Sequence, residues 1–170
     1  MPRLHVCPLS RVDEIIARSG ARSMVSLLSP GACVAPAPEI AEGRRLFIGM
    51  SDISAPMQGH VAPDLRHVES LLAFVRAWDR AAPLLIHCWA GVSRSTAAAF
   101  VAVCALAPTR SEFDVARSIR EASPTATPNA RFVAIADAHL GREGRMIEAV
   151  ASIGRGADCF EGSPFSLAID

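Results

Sequence analysis

A strand, a polar loop and an apolar helix follow one another without a break in the middle of the chain. Residues 84–87 are Leu-Leu-Ile-His, a run with too few polar side chains for an edge strand. Such a run is typical of a strand buried on both faces of a parallel sheet. Cys88 follows it, and beyond a short glycine-containing segment an apolar helix runs to Ala107, where Pro108 ends it. The segment therefore favours an α/β fold, in which helices cover a buried sheet.

Strands and helices alternate along the first half of the chain, and helices dominate the second half. The other predicted strands are residues 4–9, 24–28 and 45–48. The other predicted helices are residues 10–20, 63–78, 111–120 and 128–140, and Ser10 is the predicted N-cap of the first. Residues 29–43 are a predicted loop. This order predicts a single α/β domain with a central, mostly parallel sheet of four to five strands flanked by helices. We expect residues 1–145 to form this domain, and residues 146–170 to add a helix and a loose tail packed on it.

The charge balance excludes some classes of protein. The 170 residues carry 17 basic and 17 acidic side chains, so the net charge is zero. This balance offers no electrostatic attraction to nucleic acid or to an anionic membrane, and we expect neither as a partner. All the basic residues are Arg, so no Lys can form a Schiff base or bind a phosphate.

The apolar runs and the cysteines favour a cytoplasmic protein. The longest charge-free apolar stretch, residues 96–107, is shorter than the roughly 18 residues that a membrane span needs. No signal peptide is visible near the N-terminus. The five cysteines are widely spaced and include no CxxC pair, which argues against a disulfide framework and a structural zinc site.

The loop after Cys88 has the residues of an anion-binding site. If its backbone N–H groups converge on one point, they form with the helix N-terminus a nest for a dianion such as phosphate. Gly91 permits the tight turn, and the Arg94 guanidinium can bind two phosphate oxygens at once. The predicted phosphate-binding residues are Trp89, Ala90, Gly91, Val92, Ser93 and Arg94.

The same positive field makes Cys88 a candidate nucleophile. A helix N-terminus and an adjacent cation stabilise a thiolate, so we expect Cys88 to be ionised at neutral pH. The thiolate would lie at the floor of the anion site, aimed at a phosphorus atom. The hydroxyl of Ser95 can donate a hydrogen bond to the sulfur and stabilise it as a leaving group.

The stretch His87-Cys88-Trp89-Ala90-Gly91-Val92-Ser93-Arg94-Ser95 resembles the HCxxGxxR(S/T) signature of the protein tyrosine phosphatase superfamily, and its form is similar to the dual-specificity branch. The resemblance implies a cysteine-dependent phosphatase domain that works through a phosphocysteine intermediate, without a metal or another cofactor. Its implied substrates are phosphotyrosine or phosphoserine/threonine proteins, or a small phosphoester.

The resemblance also implies a general acid upstream of the cysteine. Members of the superfamily use an Asp some thirty-odd residues before it, and Asp52 lies 36 positions before Cys88, where a predicted strand gives way to a loop. Such a carboxyl group can protonate the leaving oxygen and later deprotonate water. Asp64 is the rival candidate for the general acid, although it fits the first turn of a helix better. The plainer alternative for Asp52 is a structural role in a turn or as a cap.

Two departures from the family bear on the substrate. The chain has neither the Trp-Pro-Asp acid loop nor the ring-stacking Tyr that phosphotyrosine-specific members carry. Its loop also lacks the Lys that phosphoinositide-directed members often use, which weakly disfavours inositol lipids.

Some roles stay open at this point. We expect His87 to brace the loop through hydrogen bonds rather than to act as a base, because its side chain points away from that of Cys88. Trp89 fits the pocket rim or the core equally well. A phospho-ligand-binding module of low activity and a thiol enzyme resembling sulfurtransferases or arsenate reductases are the alternative functions. The sequence names neither the substrate nor the oligomeric state, nor whether Cys104 resolves oxidation of Cys88.

Overall fold

The computed structural model, which describes residues 2–34 and 37–170, contains five strands and six α-helices in those residues. The strands are β1 (Arg3–Pro8), β2 (Ser23–Leu28), β3 (Arg45–Gly49), β4 (Leu84–Cys88) and β5 (Phe165–Ala168). The helices are α1 (Val12–Ser19), α2 (Leu65–Ala77), α3 (Arg94–Leu106), α4 (Glu112–Ala122), α5 (Ala130–His139) and α6 (Arg145–Ile153). Of the predicted loop 29–43, residues 35–36 lie outside the described residues.

The strands form one sheet in the order β3-β2-β4-β1-β5. Four of them are parallel, and β5 pairs antiparallel with β1 at one edge. All five residues of β4 are buried, as the apolar run predicts for a central strand. The predicted fold is therefore confirmed: a single α/β domain with a mostly parallel sheet flanked by helices.

Apolar side chains cover both faces of the sheet. The larger cluster packs residues of α2, α3, α4, α5 and α6 on one face, and the smaller cluster packs α1 on the other. Helix α3 is buried from Arg94 to Cys104, so nearly the whole helix lies inside the protein. The helix that begins directly after the polar loop is thus held firmly by its neighbours, and the loop has a rigid base.

Two predicted helix starts are wrong in detail. Ser10 does not cap α1, because its hydroxyl donates to Glu161 (2.8 Å), while Arg11 occupies the N-cap position without a side-chain hydrogen bond. Asp64 lies one residue before the first turn of α2 and is its N-cap, with its Oδ1 accepting from the Arg66 backbone N–H at 3.0 Å.

The C-terminal tail is not loose. Residues 165–168 form β5, which extends the sheet beyond β1. Phe165, Leu167 and Ile169 are buried in the larger cluster, together with Met146 and Ala149 of α6. Both α6 and the tail therefore pack on the core of the sheet; the boundary at residue 145 stays a prediction. Among the described residues no helix is both long and apolar enough to cross a membrane.

Candidate active site

The loop between β4 and α3 lies at the carboxyl end of the sheet, where parallel strands of open α/β folds leave room for ligands. Cys88 is the last residue of β4, and Arg94 is the first residue of α3. Gly91 adopts φ of +69°, and a Cβ there would sit 2.7 Å from the Pro8 nitrogen. The turn therefore requires glycine for its conformation and for its close approach to β1.

Four carbonyl groups of this loop accept backbone hydrogen bonds from outside it. The Leu9 N–H donates to the Trp89 carbonyl (3.1 Å), and the Gly162 N–H donates to the Ala90 carbonyl (2.8 Å). The Thr127 N–H donates to the Val92 carbonyl (2.9 Å), and the Asn129 N–H donates to the Ser93 carbonyl (3.2 Å). In a trans peptide the C=O and the following N–H point in opposite directions. The N–H groups of residues 90, 91, 93 and 94 therefore point to the inner side of the loop, as an anion nest requires.

The Cys88 thiol lies under this nest. Its Sγ is 3.0 Å from the Ser95 Oγ, and Ser95 is fully buried. Cys88 ends the central strand β4, and only 2% of the residue is exposed. The sulfur is therefore covered more completely than the sequence predicts, and a substrate atom must enter the loop to reach it.

Arg94 is fixed at one edge of its guanidinium and unpartnered at the other. Its Nη1 donates to the Met50 carbonyl at the end of β3 (2.9 Å), and the residue is 7% exposed. Its buried Nε has no hydrogen-bond partner within residues 2–34 and 37–170. A buried N–H without an acceptor is costly, so this edge is suited to binding an oxyanion.

Asp52 reaches the loop from the segment that follows β3. Its Oδ1 accepts from the Ser93 hydroxyl (2.6 Å) and from the Asn129 amide (3.0 Å). Asn129 also donates to the Ile53 carbonyl (3.2 Å), and its own Oδ1 caps α5. The rival, Asp64, is instead occupied as the cap of α2, where the Arg66 side chain lowers the pKa of its carboxyl group.

His87 lies in the sheet rather than in the loop. Its Nε2 is 2.7 Å from the Ser26 Oγ on β2, and burial lowers the pKa of the imidazole to about 4. Its Nδ1 has no partner in the part of the chain that the structure describes. The ring is therefore neutral at physiological pH and connects β4 with β2.

Two cavities flank the loop. The first, about 450 Å³, is lined by Asp52, Ser93 and Asn129 together with residues 155–159. The second, about 370 Å³, is lined by Trp89 and Arg94 together with residues that follow β1 and β2. In the described residues no group of three or more His, Cys, Asp and Glu side chains could hold a metal ion.

Several residues around the loop were missed by sequence reasoning. The sequence places Asn129 at the start of the predicted helix 128–140 and, by resemblance, in the Pro-Asn turn of dual-specificity enzymes, but it assigns the side chain no role in the site. Leu9, Thr127 and Gly162 act through backbone N–H groups, which no side-chain pattern reveals. Cys104 lies in α3, buried in the core, where burial raises the pKa of its thiol to about 12.

Solved structures of dual-specificity phosphatases and of related tyrosine phosphatase-like proteins share this architecture, and the chain has their fold. DUSP15 superposes with a TM-score of 0.67 and 18% identity over 90% of this chain and 91% of that one. Human DUSP28 superposes with a TM-score of 0.63 and 23% sequence identity over 82% of this chain and 89% of that one. The human tyrosine phosphatase-like serine/threonine/tyrosine-interacting protein superposes with a TM-score of 0.66 and 18% sequence identity over 84% of this chain and 94% of that one. No protein-family model and no curated protein matches the sequence.

Proposed function

We propose that the chain is a cysteine-based protein phosphatase that hydrolyses phosphoric monoesters through a phosphocysteine intermediate. The observation that carries the proposal is the loop that begins at Cys88. Four of its carbonyl groups accept from outside the loop, the Arg94 Nε has no hydrogen-bond partner among the described residues, and the Ser95 hydroxyl lies 3.0 Å from the Cys88 sulfur. Such donors stabilise the phosphoryl group in the transition state more than they stabilise the bound ester.

In the first step the Cys88 thiolate attacks phosphorus. The S–P bond forms while the P–O bond to the leaving group breaks, and the leaving oxygen takes a proton from Asp52. In the second step water attacks the phosphocysteine, Asp52 takes the proton of that water, and inorganic phosphate leaves. The sulfur departs as a thiolate, which the Ser95 hydroxyl stabilises by donating a hydrogen bond.

Arg94 holds the equatorial oxygens during both steps. With Nη1 bound to the Met50 carbonyl, the Nε edge keeps its donors for a two-point contact with the phosphoryl group. This fixation means that no rearrangement of the guanidinium is needed when charge develops on the phosphoryl oxygens.

Asp52 suits the role of general acid because of its location. Ser93 and Asn129 both bind Oδ1, so the carboxyl group is oriented at the rim of the loop and Oδ2 is left for the proton. The link to Ser93 ties the acid directly to the phosphate-binding loop, which fixes the distance between acid and phosphoryl group.

We further propose phosphotyrosine or phosphoserine/threonine proteins as substrates and the cytoplasm as the compartment. The fold neighbours support a phosphorylated substrate, since one is named as a mouse dual specificity phosphatase and another as the PTP-2 phosphatase of Cydia pomonella. All five cysteines are free and two of them, Cys33 and Cys159, are exposed, which suits a reducing compartment.

The test compares Cys88→Ser with the wild-type chain on p-nitrophenyl phosphate in the presence of EDTA. We expect turnover to vanish in Cys88→Ser while inorganic phosphate still binds, because the alcohol lacks an activating base but the nest remains. Cys104→Ala is the matched control, since it removes a buried thiol distant from the loop. Undiminished turnover in Cys88→Ser, or a wild-type chain without phosphatase activity, would overturn the proposal.

A further inference from the structure

Trp89 is exposed although it directly follows a buried cysteine. It is 59% exposed, whereas the other tryptophan, Trp78, is 6% exposed and donates through Nε1 to the Ala82 carbonyl. Large apolar side chains at the surface of a binding loop mark contact sites for ligands or partners. The backbone of Trp89 is fixed, because its carbonyl accepts from the Leu9 N–H at 3.1 Å. The indole is therefore presented from a rigid base.

The cavity beside this indole also contains Arg94. Its remaining lining is small and largely apolar: Leu9, Leu28, Ser29, Ala32 and Cys33. At about 370 Å³ it lies at the lower end of the range of about 300–1,000 Å³ that small-molecule sites occupy. A phosphoryl group held by Arg94 would thus place its ester substituent next to a flat aromatic surface.

Asp52 and Trp89 line different cavities, and residues of the loop line both. Asp52 lines the cavity of about 450 Å³, and Trp89 lines the one of about 370 Å³. A leaving group that departs opposite the Cys88 sulfur passes between these two rims. One rim supplies a proton, and the other supplies a surface on which a planar group can stack.

We propose that Trp89 is a specificity-determining residue: its indole stacks on the leaving group, so that the site prefers aryl phosphate monoesters to alkyl ones. This inference rests on the proposed phosphatase function. The chain contains no Tyr that could supply an equivalent phenol ring. Aromatic pairs contribute a modest attraction, which corresponds to a change in affinity of about 2- to 12-fold. Because stacking acts on the bound ester and on the transition state alike, it changes KM and leaves kcat unchanged.

The kinetic test measures phenyl phosphate and glycerol phosphate with the wild type, Trp89→Ala, Trp89→Phe and Phe160→Ala. For each substrate the variant is compared with the wild type, so that the different reactivities of the leaving groups cancel. We expect Trp89→Ala to raise the ratio of the KM for phenyl phosphate to the KM for glycerol phosphate about 2- to 12-fold, and Trp89→Phe to restore most of the wild-type ratio. Phe160, which is 86% exposed near the other cavity, is the control aromatic residue. An equal effect on both substrates, no effect on either, or an aryl effect in Phe160→Ala alone overturns the inference.

A binding measurement separates this inference from the proposed function. Phenylphosphonate is titrated into the Cys88→Ser variant and into the double variant that also carries Trp89→Phe, and indole fluorescence is recorded. The same titrations with inorganic phosphate serve as the comparison. Quenching by phenylphosphonate that is absent in the second variant supports stacking, even if the wild type hydrolyses neither ester. Equal quenching in both variants, or none in either, contradicts it, even if the wild type is an active phosphatase.

Discussion

The loop between Cys88 and Arg94 and the C-terminal segment 154–170 are joined by a hydrogen bond but differ in how they are encoded. The loop is specified by side chains in one continuous run, from Cys88 through Arg94 to Ser95. The C-terminal segment contributes mainly backbone: the Gly162 N–H supports the Ala90 carbonyl, and the Gly156 N–H donates to Thr127 Oγ1. The comparison teaches that the thiol and the anion-binding groups are local in sequence, whereas the backbone support of the loop comes from residues distant in sequence.

The largest effect expected in the loop concerns Arg94. Arg94→Lys should be nearly as damaging as Arg94→Ala, because an ammonium group restores the charge but not the paired N–H donors. One lost transition-state donor costs about 10²–10³-fold in kcat, so losing two predicts a fall of roughly 10⁴-fold or more. Steady-state kinetics on p-nitrophenyl phosphate measures it, with the exposed Arg117→Lys as control. Recovered kcat in Arg94→Lys would mean that the loop is a general anion site rather than a phosphoryl-transfer site.

A second effect separates Asp52 from its rival. Asp52→Asn keeps the acceptor for Ser93 and Asn129 but removes the proton, so hydrolysis of esters with poor leaving groups should fall about 10²–10⁴-fold. The loss for p-nitrophenyl phosphate should be smaller, because that leaving group needs little protonation. Asp64→Asn is the matched control, since Asn also caps helices well. If Asp64→Asn alone slows alkyl esters, the assignment of the acid is wrong.

The loop and its flanking elements were predictable because their signals are local. The apolar run of residues 84–87 indicates a buried strand, and the spacing between Cys88 and Arg94 defines the loop. The contact between Asn129 and Asp52 was not predictable, because it joins residues 77 positions apart and depends on how α5 packs. A single sequence contains no information about such a pair beyond the types of the two side chains.

The tail shows a signal that was present and overlooked. Phe165, Leu167 and Ile169 alternate with Ser166 and Ala168, which is the period-two pattern of a strand with one buried face. The glycines and charges before this run suggested a loose segment, and the strand itself is only four residues long. Antiparallel pairing with β1 stabilises it, and that partner lies at the other end of the chain.

The pH dependence of stability tests the strand beneath the loop. Burial depresses the pKa of His87 to about 4 from 6.5, so the folded state binds fewer protons than the unfolded state. The resulting stability is complete above pH 6.5 and is lost as the pH falls towards 4, a change of roughly 3 kcal/mol from about 1.36 kcal/mol per pKa unit. Burial also lowers the pKa of His5 and His67, which adds in the same direction.

Urea unfolding at pH 7 and pH 4.5 measures this loss. His87→Gln, which can still bond to Ser26, should be less sensitive to acid than the wild type, while the exposed His60→Gln should behave like the wild type. If the free energy of unfolding falls by the same amount between pH 7 and pH 4.5 in His87→Gln as in the wild type, other groups cause the acid sensitivity.

The smallest effect concerns the C-terminal segment and completes the comparison. A Cβ at Gly156 would lie 2.5 Å from the Thr125 carbonyl oxygen and 2.7 Å from that of Ala126, both backbone atoms that cannot move aside alone. Gly156→Ala should therefore destabilise the protein by about 1–3 kcal/mol through overpacking, and should lower turnover less than Asp52→Asn does. Gly43→Ala is the control, because a Cβ there meets no atom within 4 Å. Thermal unfolding and kinetics on both variants measure the effect. If Gly156→Ala is as stable and active as Gly43→Ala, close packing of this segment does not support the loop.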